Sequence, residues 1–254
     1  MENDIITLLE EEAALYNRPE FIADDPVQFA HRFDSLPDIE IASLLTAAIS
    51  WGNRKMILRD AERLLVLMDG QPHKYLLERG YEDIDPAMNL HRTFFGRHFQ
   101  WYMRALREVY AKFASLDEFA SKSGVGESEA PAWQLAELLG KIAADANSGE
   151  TCAQCIPTNL KTTALKRLNM ALRWFVRNDG IVDLGVWKSI KPSQLYIPLD
   201  VHVGNTARNL GLITRKANDR RTVEELTAQM RILRPDDPAY FDYALFGIGV
   251  SSKN

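Results

Sequence analysis

Apolar residues recur at spacings of three and four along almost the whole 254-residue chain. This spacing is typical of amphipathic α-helices. We find no convincing alternation of apolar and polar residues, which would indicate half-buried strands, and no internal repeat. Glycine-rich phosphate loops that follow strands are absent as well, which argues against a nucleotide-fold enzyme. The sequence therefore predicts an all-α protein.

Capping residues and glycines set the predicted helix boundaries. Asp25 precedes Pro26 in the order expected for an N-cap and a first helical residue. Asn53 and Asp200 can each cap a helix in the same way. The predicted helices cover residues 4–16, 26–33, 37–49, 53–68, 97–113, 131–146, 159–177, 200–211 and 238 to about 247.

The helix predicted over residues 159–177 carries two kinds of side chain on different faces. Four large apolar residues share one face: Leu165, Leu168, Leu172 and Phe175. Three basic residues share another: Lys166, Arg173 and Arg177. The first face is expected to pack in a core, and the basic face is available for chemistry or for binding an anionic partner.

Lys166 and Asp200 are the candidate catalytic pair. If their two helices pack side by side, the lysine amine and the carboxylate at the helix start can meet. A neutral lysine can attack an electrophilic carbon and form a Schiff base, while a carboxylate stabilises positive charge or transfers protons. On spacing alone, however, Lys166 is also consistent with a solvent-exposed charge, and Asp200 with an N-cap that contributes about 1 kcal/mol to stability.

Charge is unevenly distributed along the chain. The whole protein carries −5 and has an isoelectric point near 5.6, which argues against a general nucleic-acid binder. Residues 158–221 nevertheless hold twelve Lys and Arg against four acids, whereas residues 1–25 hold eight acids and one Arg. Residues 158–221 are therefore predicted to be a basic lobe that faces phosphates, with a solvated helix surface as the alternative.

The cysteine content and the N-terminal sequence argue against several classes of site and of protein. Cys152 and Cys155 cannot complete a four-ligand metal site by themselves, and no strand precedes them, so they are interpreted as loop cysteines. No apolar run approaches the roughly 18 residues of a membrane span. The acidic N-terminus lacks a signal-peptide layout. We therefore expect a cytoplasmic protein with no membrane contact, no metal and no cofactor.

Three segments resemble a family of uncharacterised bacterial proteins: residues 166–177 (KRLNMALRWFVR), 197–212 (IPLDVHVGNTARNLGL) and 236–250 (DDPAYFDYALFGIGV). That family in turn resembles the helix-hairpin-helix DNA glycosylases, especially the archaeal 8-oxoguanine DNA glycosylases. The glycosylases use a helix lysine as nucleophile, with an aspartate that opens a later helix as its partner. Lys166 and Asp200 match these two positions.

The resemblance implies a single two-lobed helical domain over residues 1–254, with a basic catalytic lobe at about 158–221. It implies a base-excision repair glycosylase that removes an oxidised purine such as 8-oxoguanine from damaged duplex DNA and has abasic-site lyase activity. Trp51 becomes a candidate wall of the base pocket, although a core role would also explain it. The candidate DNA-binding residues are Lys161, Arg167, Arg173, Arg177, His202 and Arg208.

The segment before the catalytic lysine departs from the glycosylase pattern. Residues 155–163 (CIPTNLKTT) lack the glycines of the usual hairpin, which let backbone N–H groups approach a phosphate. Phosphate binding must then come from side chains such as Lys161 and Arg167, or from a differently built turn. This departure keeps a second hypothesis open, a non-catalytic nucleic-acid-binding module of the same fold. A third hypothesis is a helical scaffold that binds other proteins through the acidic N-terminal part.

Overall fold

The structure, a computed structural model that describes residues 3–251, is 62% helix and 2% strand, which confirms the predicted all-α class. The α-helices within the described residues are α1 (Asn3–Tyr16), α2 (Glu20–Asp24), α3 (Leu36–Ala48), α4 (Arg54–Leu67), α5 (Pro72–Leu77), α6 (Gly96–Tyr110), α7 (Leu116–Lys122), α8 (Pro131–Ala146), α9 (Lys166–Val176), α10 (Val201–Asn209), α11 (Arg220–Leu233) and α12 (Asp242–Ser251). A short antiparallel hairpin, β1 (Asn89–His91) and β2 (Phe94–Phe95), was not predicted.

Helix starts that depend on local capping lie where the sequence predicts them. The Asp25 side chain accepts from Val27 N over 3.0 Å and opens a 3-10 helix, Pro26–Arg32. Asn53 caps α4, and α8 has the predicted bounds. Capping of this kind is set by residues that are neighbours in the chain, so the sequence is sufficient to locate it.

Helix α9 begins at Lys166 rather than at residue 159, so the predicted start was wrong. Residues 159–165 form turns instead, and Leu165 takes the left-handed conformation (φ 47°, ψ 38°) at the N-cap of α9. A left-handed residue cannot continue a right-handed helix, and for a side chain larger than glycine it costs about 1–2 kcal/mol. Lys166 is therefore the first residue of its helix rather than a residue in its middle.

The helices pack around one continuous apolar core that includes residues from α1 to α12. Helix α1 lies along α12, and α12 also contacts α10, while α3 packs on α9 and α6 on α8. The starts of α9, α10 and α12 lie around a common region. Within residues 3–251, no helix has the length and apolar character needed to cross a bilayer.

Glu40 ties four parts of the chain together inside the core. Its carboxylate accepts from Tyr110 Oη at 2.7 Å, Trp187 Nε1 at 2.8 Å, and the backbone N–H groups of Leu116 and Asp117 at 2.9 and 3.0 Å. Burial raises the pKa of Glu40 to about 7, although all four donors favour its ionised form. This arrangement fixes the segment after α9 against α3, α6 and α7.

Candidate functional site

A cleft of about 820 Å³ lies where α9, α10 and α12 begin. Its lining includes Lys166 from α9, Asp200 at the start of α10, Asp242 at the start of α12, Asp25, and Trp51. The structure therefore brings the two predicted catalytic residues and the predicted pocket wall to one cavity. Two further carboxylates, which sequence reasoning did not assign to a site, face the same cavity.

Lys166 is partly buried at the first position of α9. Its Nζ lies 3.3 Å from Met170 Sδ, a weak acceptor, and Lys166 forms no ion pair within residues 3–251. Burial lowers the pKa of Lys166 below its usual value, and it outweighs the opposing charges of Asp200, Asp242 and Asp25. The positive end of the α9 dipole also disfavours the charged amine. These features favour the neutral amine that a nucleophilic lysine needs.

Asp200 serves as the N-cap of α10, as predicted. Its Oδ1 accepts from the backbone N–H groups of His202 at 2.8 Å and Val203 at 3.0 Å. Both bonds fall on the same oxygen, and Asp200 lines the cleft. The helix start therefore fixes the carboxylate at the cleft wall.

Asp242 is a cleft residue that the sequence analysis does not single out. It is only 6% exposed and forms an ion pair with Arg173. Burial raises the pKa of Asp242 to about 6, against the opposing effects of Arg173 and Lys166. A carboxyl group with this pKa exchanges protons readily near neutral pH. Its one signal in the sequence was its place in the family-like segment 236–250.

Trp51 lies half-buried in the cleft wall, in the turn between α3 and α4. The His91 ring meets it edge to face at a centroid distance of 4.8 Å, and the Arg167 guanidinium lies 5.4 Å from its ring centroid. His91 also lies between Asp60 Oδ2, at 2.7 Å, and Trp51 O, at 3.0 Å. The indole is therefore fixed on several sides and presents a rigid aromatic surface to the cleft.

The structure corrects the prediction that Arg173 and Arg177 bind DNA. The two side chains are 4% and 1% exposed and belong to an ion-pair network inside the protein. Arg173 pairs with Asp183 and Asp242, and Arg177 pairs with Asp183 at 2.5 Å and with Asp237 at 2.9 Å. A guanidinium enclosed by carboxylates cannot reach a phosphate. Arg173 and Arg177 therefore pack against acidic residues, whereas Lys166, on the same face, lies at the cleft.

Two other predicted DNA-binding residues hold the protein's own backbone. Arg167 donates to Ala48 O at 2.6 Å and to Gln154 O at 2.7 Å. Arg208 donates to the carbonyl oxygens of Arg215 and Lys216 at 2.7 and 3.0 Å. These contacts position the cleft walls and leave each guanidinium little capacity for a phosphate.

Lys161 and His202 have exposed side chains, and His202 lines the cleft. Of the six predicted DNA-binding residues, these two are the ones placed where an external phosphate can reach them. Asn218, which was not predicted, lines the cleft as well and donates from Nδ2 to Asp200 O over 3.3 Å. Arg208 holds it in place through a contact of 2.5 Å to Asn218 Oδ1.

Within the described residues, no group of three or more His, Cys, Asp and Glu is placed to hold a metal ion. The cleft carboxylates Asp25, Asp200 and Asp242 are committed to other partners. Asp25 lies 3.6 Å from Arg54, Asp200 caps α10, and Asp242 pairs with Arg173. The chemistry available in the cleft is that of an amine surrounded by carboxylates.

Comparison with known families gives one match. The family described as "Protein of unknown function (DUF2400)" matches residues 25–251. The chain belongs to this family. The DUF2400 match includes every cleft residue named above, from Asp25 to Asp242. No curated protein and no solved structure matches the chain significantly.

Proposed function

We propose that the protein is a DNA glycosylase with abasic-site lyase activity, in which Lys166 forms a Schiff base with the sugar of a deoxynucleotide whose base is an oxidised purine such as 8-oxoguanine. The observation that supports this most is the state of Lys166. It is a partly buried amine with a lowered pKa at the edge of an 820 Å³ cleft lined by carboxylates. The helix-hairpin-helix glycosylase fold belongs to the same proposal, since it rests on the resemblance of residues 166–177 and 197–212.

The chain's own residues supply the parts of this reaction. The neutral Lys166 Nζ attacks C1′ of the sugar, the bond from C1′ to the base breaks, and the base leaves with the electron pair. Asp200 Oδ2 stabilises the positive charge that develops on the sugar. The amine then loses a proton, the bond from C1′ to O4′ breaks with O4′ taking up a proton, and the opened sugar is held as the protonated Schiff base. Removal of a proton from C2′ then eliminates the 3′-phosphate and cleaves the strand.

Asp242 is suited to the proton transfers of these steps. Its pKa of about 6 allows it to give a proton to the departing base and to accept one from the attacking amine. Arg173 keeps it in place through the buried ion pair. Trp51 provides a flat wall on which an extruded base can stack.

The structure changes what DNA binding is expected to look like. Four of the six predicted phosphate contacts, those of Arg167, Arg173, Arg177 and Arg208, are engaged inside the protein. A module that binds nucleic acid without chemistry depends on many such contacts. Both the glycosylase and that alternative lose these four contacts, so what favours the enzyme is the state of Lys166 in the cleft.

Borohydride trapping on labelled duplexes tests the proposal. The duplexes carry 8-oxoguanine, uracil or an abasic site, and the wild type is compared with Lys166→Gln and with Lys141→Gln, an exposed lysine of α8. We expect a covalent adduct on the 8-oxoguanine duplex that is lost in Lys166→Gln and retained in Lys141→Gln.

Two other outcomes contradict parts of the proposal. Adducts found only on the abasic duplex would support the lyase activity and contradict the glycosylase activity. If no duplex gives an adduct but DNA binding remains salt-sensitive, the protein is the non-catalytic binding module rather than an enzyme.

A further inference from the structure

Cys152 and Cys155 lie beneath a surface turn whose middle residues, Ala153 and Gln154, are exposed. Their Sγ atoms are 3.2 Å apart, and Cys155 N donates to Cys152 O over 3.0 Å, as in a four-residue β-turn. Such a turn keeps its end Cα atoms within about 7 Å. A disulfide needs Cα atoms about 4.4–6.8 Å apart and sulfurs about 2.05 Å apart. Closing the pair therefore needs a sulfur shift of only about 1 Å.

The two thiols differ in reactivity. The hydrogen bond with Cys155 lowers the pKa of Cys152 to about 7, so about half of it is thiolate at neutral pH. Burial raises the pKa of Cys155 well above its usual value, and the hydrogen bond and charge of Cys152 raise it further. These last two effects disappear once Cys152 is bonded to another sulfur. Cys155 then loses its proton more easily and can act as the second nucleophile.

Arg167 connects this turn to the wall of the large cleft. It donates to Gln154 O between the two cysteines and to Ala48 O at the end of α3, and its guanidinium lies over the Trp51 ring. Its charge also acts on both thiols. Arg167 and Cys155 line a second cavity of about 290 Å³ that shares Lys166 with the cleft. A change in the turn can therefore reach the cleft through one side chain.

We propose that Cys152 and Cys155 are a redox-active dithiol that closes to a disulfide by exchange with a low-molecular-weight disulfide of the glutathione class, and that closure shifts Arg167 and the cleft wall. The structure contains the attacking thiol, the resolving thiol and the link to the cleft. The proposal stands independently of the reaction assigned to Lys166.

The exchange takes two steps and balances. The Cys152 thiolate attacks one sulfur of the oxidant RS–SR, the S–S bond breaks, and RS⁻ leaves with the electron pair. Cys155, deprotonated, then attacks Cys152 Sγ in the mixed disulfide and releases the second RS⁻. The two cysteines are oxidised by two electrons, and the oxidant is reduced to two thiols, which take up the two protons.

The reaction can be followed on the full chain with graded mixtures of oxidised and reduced glutathione, acid quenching and intact mass measurement. We expect the wild type to lose two hydrogen atoms and Cys155→Ser to stop at a stable glutathione adduct. Cys152→Ser should react about tenfold more slowly than Cys155→Ser, because its remaining thiol has the higher pKa. No internal disulfide in the wild type, or equal rates for the two variants, would overturn the proposal.

The link to the cleft has its own test, hydrogen exchange of the wild type in its oxidised and reduced forms. Exchange should change in residues 48–52 and 165–168, which Arg167 connects to the turn, and stay constant in α7, which lines neither cavity. Arg167→Met should also slow alkylation of Cys152 by iodoacetamide several-fold, while Lys161→Met should not. Identical exchange in both forms would show that the dithiol does not act on the cleft.

Discussion

We predict that Arg177→Met destabilises the fold by about 3 kcal/mol and leaves DNA affinity unchanged in the protein that remains folded. Breaking a buried ion pair costs about 3–5 kcal/mol, because the partner charge stays buried. Asp183 is 3% exposed and keeps its contacts with Arg173 and Tyr243. The Asp237 side chain is 24% exposed, so water can replace the guanidinium there. These two compensations place the cost at the lower end of the range.

Urea unfolding followed by tryptophan fluorescence measures this loss. The urea concentration at the unfolding midpoint should fall, while the dependence of the free energy of unfolding on urea concentration stays unchanged. The thermal midpoint should fall by about 6–12 °C. Lys161→Met, at an exposed lysine, is the control and should stay within about 0.5 kcal/mol of the wild type. The internal role of Arg177 is refuted if the free energy of unfolding of Arg177→Met lies within about 1 kcal/mol of the wild-type value. It is also refuted if the variant stays folded and loses DNA affinity.

Three further results are expected. Glu40→Ala should lower the free energy of unfolding by about 3–5 kcal/mol in a denaturant titration, because four donors lose their acceptor; a loss under about 1 kcal/mol would contradict this. Lys166 must be deprotonated to react, so borohydride trapping should rise with pH to a midpoint below that of an ordinary lysine. Asp242→Asn should move this midpoint to lower pH, because it removes a negative charge that favours the protonated amine; a shift to higher pH would show that the two groups do not interact as described. The slope of log K for DNA against log salt should be about −2, at about 0.9 for each of the two predicted phosphate contacts that are exposed, rather than about −5 for all six; a slope of −5 or steeper would show that the buried arginines contact phosphates.

The parts of the fold that depend on neighbouring residues could be predicted from the sequence. Asp25, Asn53 and Asp200 cap helices where expected, because a cap involves only the next two or three residues. The start of α9 could not be predicted in this way. Apolar spacing continues back from Lys166 without a helix-breaking residue, and only the structure shows that Leu165 takes the left-handed conformation.

The site could be predicted only in part, for a related reason. Periodicity shows which residues of α9 share a face, but it does not show what lies opposite that face. Arg177 meets Asp183, six residues further on, and Asp237, 60 residues further on, while Arg173 meets Asp242, 69 residues further on. Arg173 therefore had the pattern of a phosphate-binding residue, and Asp242 had that of a solvated acid.

The most direct test of the central claim is to locate the trapped adduct in the chain. The protein is reduced with borohydride on an abasic or 8-oxoguanine duplex, digested, and the modified peptide is sequenced by mass spectrometry. The account predicts that the sugar remnant is attached to Lys166 Nζ. Attachment to Lys161, to another lysine or to the N-terminal amine would contradict the assignment of Lys166 as the nucleophile.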